Sequence, residues 1–196
     1  MRILSIDFDY FIRTGIETRN NKFPDGCDEV PFNKLKSMWE SFYESYPEIK
    51  EIDVINEYYI CHKKLFNLKK GKVLIADSHK QIARLFPLIG DEHLEVIHID
   101  FHHDNYISGG SKIDCANWVR HLKEMKPDTD ITWIRRYDSE TASLEGEYPY
   151  GSTLDFDFEG EFDYIFLCFS PEWTPPHLRH LFYMLCNTVA HLDYLN

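Results

Sequence analysis

Residues 94–104 read LEVIHIDFHHD, an apolar run that ends in a cluster of acidic and histidine side chains. A short, almost continuous apolar run of this kind is typical of a strand that is buried on both faces. Four further runs with this character are predicted to be strands, at residues 2–6, 72–76, 130–134 and 164–169. Because predicted helices separate most of these strands, the sequence predicts an α/β fold, a three-layer α/β/α sandwich around a mostly parallel sheet.

The segments between the predicted strands contain apolar residues at helical spacing. Helices are predicted over residues 33–46, 80–88 and 112–125, and a closing helix is predicted to follow the two prolines at 175–176. Residues 50–70 fit no single pattern, and residues 140–161 are predicted to form a loop rich in acidic side chains. A length of 196 residues suits one domain, which we place at residues 1–196.

The chain carries 33 acidic and 21 basic side chains, which gives a formal net charge of -12. This excess argues against a nucleic-acid-binding protein and against binding to an anionic membrane surface, since both need clustered lysine and arginine. It permits a cationic partner, or divalent metal ions held by carboxylates. No signal peptide is recognised and no apolar run is long enough to span a membrane. The five cysteines form no CxxC pair, so reduced thiols and a cytoplasmic location are expected.

The third predicted strand ends in a D-x-H-x-D pattern formed by Asp100, His102 and Asp104. In a parallel sheet, ligands bind outside the carboxyl ends of the strands. Alternate residues of an extended segment share a face, so these three side chains can converge on one point. Carboxylate and imidazole groups suit Mn, Fe, Zn or Co. The alternative is a helix-capping aspartate followed by solvated loop residues.

The first predicted strand ends at residues 5–9 (SIDFD), in which Asp7 and Asp9 share a face. Two carboxylates at the end of a buried strand repel each other unless a cation or a proton lies between them. The alternative is that one caps the next element while the other faces water. His79 follows the second predicted strand and would alone be a capping or packing histidine. Together, the three strand ends predict a shared metal site.

A glutamate, Glu172, follows the fifth predicted strand beside a proline. Alone it would be a surface turn residue, but at the same sheet edge as the metal site it can bind a guanidinium through paired, charge-assisted hydrogen bonds. Trp173 can stack on a guanidinium or a peptide, or pack on the last helix. Asn117 is a candidate to face the same cleft, whereas Trp118 is expected in the core.

The three strand ends resemble the metal signatures of the arginase/deacetylase (ureohydrolase) superfamily. Residues 100–104 match its D-x-H-x-D motif and residues 5–9 its S-x-D-x-D motif, while residues 76–79 (ADSH) keep only the helix-start histidine of its G-G-D-H motif. The S-x-D-x-D strand comes last in ordinary arginases but first in this chain. The chain therefore looks like an abbreviated arginase-like fold with a permuted strand order, most similar to the uncharacterised branch that contains peptide arginases.

The resemblance implies a centre of two Mn(II) ions, with Fe or Co as alternatives. The implied ligands are Asp100 and Asp7 as bridges, His79 and Asp104 on one ion, and His102 and Asp9 on the other. Metal-bound hydroxide would attack the guanidinium of a peptidyl arginine held by Glu172, giving ornithine and urea. Asp100 and Glu172 are thus the implied catalytic residues, with Asn117 and Trp173 as further substrate contacts. An arginine-containing precursor peptide is the implied partner.

One feature of arginases is missing from the sequence. They carry a histidine after the D-x-H-x-D motif that shuttles a proton, and residues 105–120 contain none. His103 is expected to point away from the metal ligands. Two alternatives stay open: a hydrolase of a small free substrate (arginine, agmatine or an acetylated amine), and a catalytically inactive relative that binds metal or a peptide. The sequence carries no signal for the oligomeric state.

Overall fold

Seven parallel strands form one sheet in the computed structural model, which describes residues 1–24, 30–107, 112–141 and 150–195. The described strands are β1 (Arg2–Asp7), β2 (Lys72–Ala76), β3 (Glu95–Ile99), β4 (Asp130–Ile134), β5 (Gly151–Thr153), β6 (Tyr164–Cys168) and β7 (Asp193–Tyr194). They lie in the order β5-β4-β3-β1-β6-β2-β7, and every pairing within the sheet is parallel. The predicted α/β fold class is confirmed.

The strands β3, β1, β6 and β2 are neighbours in the sheet, although the chain reaches them at widely separated positions. β1 pairs with β3 on one side and with β6 on the other, so that Ile6 lies beside both Ile99 and Leu167. Because all strands run in the same direction, their carboxyl ends lie along one edge. The residues that follow these four strands are therefore brought together.

Helices cover both faces of the sheet. The described α-helices are α1 (Ile16–Lys22), α2 (Phe32–Ser45), α3 (Glu57–Phe66), α4 (Trp118–Met125) and α5 (Arg179–Thr188). Short 3-10 helices span Phe8–Phe11, Pro47–Glu51, His79–Leu88 and Pro176–Leu178. The predicted helices at 33–46 and 80–88 are confirmed as helical segments, the second with 3-10 geometry.

Two buried apolar clusters separate the layers. Side chains alternate along β1, so Leu4 and Ile6 belong to one cluster and Ile3 belongs to the other. Helices α2, α3 and α5 contribute buried side chains to the first cluster. Helix α4 and the 3-10 helix His79–Leu88 contribute to the second. The result is the predicted three-layer sandwich.

Differences between the predicted and observed elements have local causes. The loop predicted over residues 140–161 contains β5, a three-residue edge strand that is largely exposed and therefore forms no apolar run. The helix predicted from residue 112 begins only at Trp118. Before it, the side chain of Asn117 accepts a hydrogen bond from the backbone of Asp114 and donates one to the carbonyl of Lys112, which holds this segment in a turn.

The cysteines depart from the expectation of reduced thiols. Cys61, Cys168 and Cys186 are free and buried, but Cys115 is disulfide-bonded. Cys27 lies outside the described residues. The expectation is therefore wrong at Cys115. A disulfide depends on the distance between two residues in the folded chain, which sequence spacing does not reveal.

Within the described ranges, no helix combines the length and the apolar character that crossing a membrane requires. The cytoplasmic location and the domain bounds 1–196 stay predictions.

Replacing Leu4 by Ala tests whether the central strand holds the fold together. Leu4 is fully buried on β1, so Leu4→Ala is expected to lower the free energy of unfolding by about 2–5 kcal/mol. The matched control is Leu154→Ala, because Leu154 is 54% exposed and its loss is expected to change stability by about 0.5 kcal/mol or less. Urea denaturation measures both. Equal effects would contradict the central position of β1.

Candidate metal centre

Carboxylates and histidines from three strand ends meet at the carboxyl edge of the sheet. Asp7 is the last residue of β1, Asp100 directly follows β3, and His79 begins the helix that follows β2. The six residues predicted as metal ligands are brought into mutual contact here: Asp7, Asp9, His79, Asp100, His102 and Asp104. All except His102 are almost completely buried.

The first cluster surrounds Nδ1 of His79. The Oδ2 atoms of Asp100, Asp104 and Asp7 lie 3.0, 3.1 and 3.2 Å from this nitrogen. None of these contacts has hydrogen-bond geometry, and Nδ1 has no hydrogen-bond partner among the described residues. The other ring nitrogen, Nε2, lies 2.8 Å from the hydroxyl of Ser5. This contact holds the ring so that Nδ1 faces the carboxylates.

The second cluster surrounds Nδ1 of His102. Oδ2 of Asp9 lies 3.0 Å away and Oδ1 of Asp100 lies 3.7 Å away. Asp100 thus faces the first cluster with Oδ2 and the second with Oδ1, as a bridging carboxylate would. For Asp7, Oδ1 accepts the backbone N–H of Asp9, and Oδ2 accepts the hydroxyl of Ser170 as well as facing His79.

A buried arginine also belongs to the second cluster. Nη1 of Arg19 lies 3.2 Å from Oδ2 of Asp9, and Nη2 donates to the carbonyl of Asp9 at 2.6 Å. Burial lowers the pKa of Arg19 to about 10, with Asp9 acting against that shift. Burial raises the pKa of the Asp9 carboxyl, but the nearby charges of His102 and Arg19 lower it by more. The pKa of Asp9 therefore lies below its usual value. Sequence reasoning missed this pair because Arg19 lies in α1, away from every motif.

The backbone is left-handed at two positions of the centre. Asp104 has φ 52° and Ser170 has φ 47°, and these are the non-glycine residues with positive φ in the described chain. Such conformations cost energy and concentrate at functional sites. Oδ2 of Asp104 accepts a hydrogen bond of 2.6 Å from the indole of Trp118, which is buried as expected. Both strained positions therefore carry side chains that contact or form the cluster around His79.

Burial and mutual repulsion act on the acidic groups of the centre. Burial, followed by the charges of Asp9 and Asp7, raises the pKa of Asp100 well above its usual value. Burial and the charge of Asp100 do the same for Asp104. Burial disfavours the charged form of His79, but Asp104 and Asp7 outweigh it and raise its pKa. Without a cation the centre therefore retains protons, and a metal ion would displace them.

These donors fit a bound cation. Neighbouring ligands of an octahedral ion with bonds of about 2.1 Å lie about 3.0 Å apart, close to the 3.0–3.2 Å separations around His79. Each cluster also contains a buried atom without a hydrogen-bond partner among the described residues, Nδ1 of His79 and Oδ1 of Asp9. The buried histidine and aspartate groups can hold a metal ion. Their mixture of nitrogen and oxygen donors suits Mn, Fe, Zn or Co.

Besides Arg19, two further residues of the centre were missed by sequence reasoning. His98 lies on β3 with its ring 5.2 Å from that of His79, and neither of its nitrogens has a hydrogen-bond partner among the described residues. Burial, aided by His79, holds its pKa well below the usual value. The sequence does contain a signal, since His98 extends the alternating D-x-H-x-D pattern by two residues. Cys168, at the end of β6, groups with Asp7 and His79.

A cavity of about 210 Å³ lies beside the centre. Its described lining contains five carboxylates and neither lysine nor arginine; the five are Asp7, Asp100, Asp104, Glu140 and Glu172. Trp173 also lines the cavity, with its ring 4.8 Å from that of His102. A concave surface lined by one sign of charge attracts ligands of the opposite sign. Asp7, Asp100 and Asp104 belong to the metal centre, so Glu140 and Glu172 are the described carboxylates of the lining that favour a cationic group in the cavity.

The turn after β6 places Glu172 in this cavity. Glu172 is only 8% exposed. The indole of Trp39 donates to the carbonyl of Pro171 at 2.8 Å, and the hydroxyl of Thr174 donates to the carbonyl of Phe169 at the same distance. These bonds fix the backbone on both sides of the glutamate, so Glu172 is held in the cavity wall and is not a solvated turn residue.

The remaining predicted residues divide between the cavity and the core. Asn117 is fully buried and bonds to its own turn, so the structure does not bring it to the cavity lining. His103 is buried and stacks on Tyr106 with ring centroids 3.9 Å apart, and its orientation away from the ligands stays a prediction. Tyr106 and Glu140 both line the cavity, and the Tyr106 hydroxyl donates to Oε2 of Glu140 at 3.2 Å. Sequence reasoning missed this pair.

No protein-family model, no curated protein and no solved structure matches this chain. The function is therefore inferred from the residues and their geometry.

Metal binding is tested most directly at Asp100. Because its two oxygens face different clusters, Asp100→Asn is expected to weaken Mn(II) binding by about 100-fold or more, with the loss of at least one bound ion. The control is Asp77→Asn, since Asp77 is an exposed carboxylate that directly follows β2, two residues before His79. Calorimetry and metal analysis after dialysis report binding, and circular dichroism reports folding. Unchanged metal content in a folded Asp100→Asn variant would rule out the bridge.

Proposed function

We propose that this protein is a dinuclear manganese hydrolase that converts peptidyl arginine to ornithine and urea. One observation carries the proposal: two buried carboxylate–histidine clusters share Asp100, and they border a cavity whose wall holds a further buried carboxylate, Glu172. The resemblance of residues 5–9 and 100–104 to ureohydrolase motifs supports the same reaction. Fe or Co would serve the same donors.

The clusters have the composition that a two-metal hydrolase needs. Two divalent ions, when bound, would supply Lewis acidity and lower the pKa of water so that a nucleophile exists at neutral pH. Around them, Ser5 orients His79 and Trp118 orients Asp104 through the contacts at 2.8 and 2.6 Å. The chain itself therefore fixes the donor atoms before any metal arrives.

The cavity wall supports a guanidinium substrate. A carboxylate accepts paired hydrogen bonds from a guanidinium, which makes Glu172 the residue that would bind it. Trp173 offers a ring face beside His102 for stacking on the same group. The cavity volume of about 210 Å³ is smaller than the pockets that take drug-sized ligands, and a single side chain suits it. The acidic lining favours this cation over a neutral acetylated amine.

The pair of Tyr106 and Glu140 supplies the proton transfer that the missing loop histidine would perform. Hydrolysis joins the oxygen of water to the guanidinium carbon and breaks the bond from that carbon to Nε. The departing nitrogen takes up both protons of the water and leaves as an ammonium group. In the proposed route, Glu140 accepts a proton of the water, Tyr106 donates its hydroxyl proton to the departing nitrogen, and Glu140 then returns the proton to the Tyr106 oxygen through the bond that joins them. A second transfer along the same pair delivers the other water proton and leaves both side chains in their starting state.

A mass measurement tests the proposed reaction. Incubation with Mn(II) and an arginine-containing peptide is expected to lower the peptide mass by about 42 Da per arginine and to release urea. Free arginine, agmatine and an acetyl-lysine peptide are run beside it. If only one of the free compounds gives product, that compound and not peptidyl arginine is the substrate. Tight peptide binding without any product would favour the inactive relative.

Removing the charge of Glu172 separates substrate binding from metal binding. Glu172→Gln is expected to lower kcat/KM for the peptide by about 10- to 100-fold, the cost of losing a charged hydrogen-bond partner. Metal content is expected to stay at the wild-type level. Glu161→Gln, at an exposed glutamate outside the cavity, is the matched control. Loss of metal together with activity in Glu172→Gln would argue against its role in binding substrate.

The proton-transfer role is tested at Tyr106. Tyr106→Phe keeps the ring that stacks on His103 but removes the hydroxyl, and kcat is expected to fall by about 100-fold or more while KM and metal content stay unchanged. Tyr137→Phe is the control, because Tyr137 is 85% exposed. A normal kcat in Tyr106→Phe would assign the proton transfer elsewhere.

A further inference from the structure

Arg19 is the one feature of the centre for which a metal hydrolase has no evident need. Its side chain is completely buried, and its guanidinium lies 3.8 Å from the centre of the Phe101 ring. It bonds to Oδ2 and to the backbone carbonyl of Asp9, and more weakly to the carbonyl of Ile12. A permanent positive charge is therefore fixed directly behind one carboxylate of the second cluster.

The two clusters consequently differ in charge. In the described chain, the ion pairs of Asp7, Asp100 and Asp104 involve histidines only. Asp7 faces His79 with Oδ2 and accepts the backbone N–H of Asp9 with Oδ1, so the structure does not show it as the second bridge that the resemblance implies. The first cluster thus offers the charge of Asp7 and Asp104 and a share of Asp100. The second offers Asp9, which Arg19 already offsets, and the remaining share of Asp100. Once metal binding displaces the protons of the centre, the ligands of the second cluster therefore present a weaker negative potential to a cation than those of the first.

We propose that Arg19 makes the two metal positions unequal, so that one ion binds tightly beside His79 and the other binds later and more weakly beside His102. The inference deepens the proposed two-metal function and rests on it. Arg19 leaves Oδ1 of Asp9 without a hydrogen-bond partner among the described residues while holding Oδ2 and the backbone in place. It therefore acts as a positioning residue that keeps the second position formed even without its metal.

The physical basis is competition between two cations for one carboxylate. Repulsion between a guanidinium and a divalent ion that share Asp9 weakens binding of the ion, and burial reduces the screening by water. The same pairing prevents Asp9 from standing as a lone buried charge when the second position is vacant. The active, doubly loaded form would then depend on the concentration of free metal, which gives the second ion a regulatory role.

Calorimetric titration of the metal-free wild-type protein with Mn(II), with bound Mn(II) counted by electron paramagnetic resonance, is the first test. Two ions are expected, with dissociation constants that differ by about tenfold or more. Asp9→Asn is expected to remove the weaker step and keep the stronger one. Two ions of equal affinity would overturn the inequality, and loss of the stronger step in Asp9→Asn would overturn the assignment of the weaker ion to the position beside His102. Both results would leave the two-metal proposal intact. Saturation at one ion would overturn both.

Arg19 variants test the cause. Arg19→Lys retains the charge and is expected to keep the two steps apart, whereas Arg19→Met removes it and is expected to bring the two dissociation constants closer by about tenfold. Arg136→Met is the matched control, since Arg136 lies over the same Phe101 ring but pairs with Asp138. Unchanged separation in folded Arg19→Met would refute the role of Arg19. If that variant does not fold, Arg19→Gln removes the charge but keeps hydrogen-bond donors, and an unchanged separation in it would likewise refute the role of Arg19.

Discussion

Repulsion among buried carboxylates is the constraint around which this structure is organised. Asp7, Asp9, Asp100 and Asp104 are each 4% exposed or less, and they meet within one small volume at the edge of the sheet. Such an arrangement is unfavourable unless protons, a cationic side chain or metal ions offset the charge. The apolar clusters on both faces of the sheet provide the stability that lets the chain hold these groups together.

The parts of the fold that follow from local sequence could be predicted. Apolar runs identify the five longer strands, and the spacing of acidic and histidine residues at two strand ends predicts Asp7, Asp9, Asp100, His102 and Asp104 as neighbours. The assumed extended backbone is wrong in detail, because Asp9 lies in the 3-10 helix Phe8–Phe11 and Asp104 has a left-handed backbone. The parts that depend on distances across the fold could not. Arg19 reaches Asp9 from α1, Tyr106 reaches Glu140 across 34 residues, and Cys115 is disulfide-bonded.

Asn117 shows why a position next to a motif is weak grounds for a role in the site. It lies at the N-terminal end of α4, only 13 residues beyond Asp104, yet its amide is used within its own turn. The neighbouring Trp118 was expected only in the core, yet its indole N–H also donates a hydrogen bond to Asp104, a predicted metal ligand. Function in this protein is thus a property of individual side chains and their bonds, and the α/β sandwich alone would not indicate it.

The position of β1 has a consequence for how the molecule folds. This strand is synthesised before both of its partners, yet Arg2 pairs with Glu95, 93 residues later, and bonds to Asp163, 161 residues later. Contacts between residues so far apart in sequence slow folding. Until its partner strands are in place, an apolar strand with two unpaired edges also promotes aggregation. During synthesis, Asp7 and Asp9 therefore stay in a chain segment that gains its ordered surroundings only after β6 has emerged.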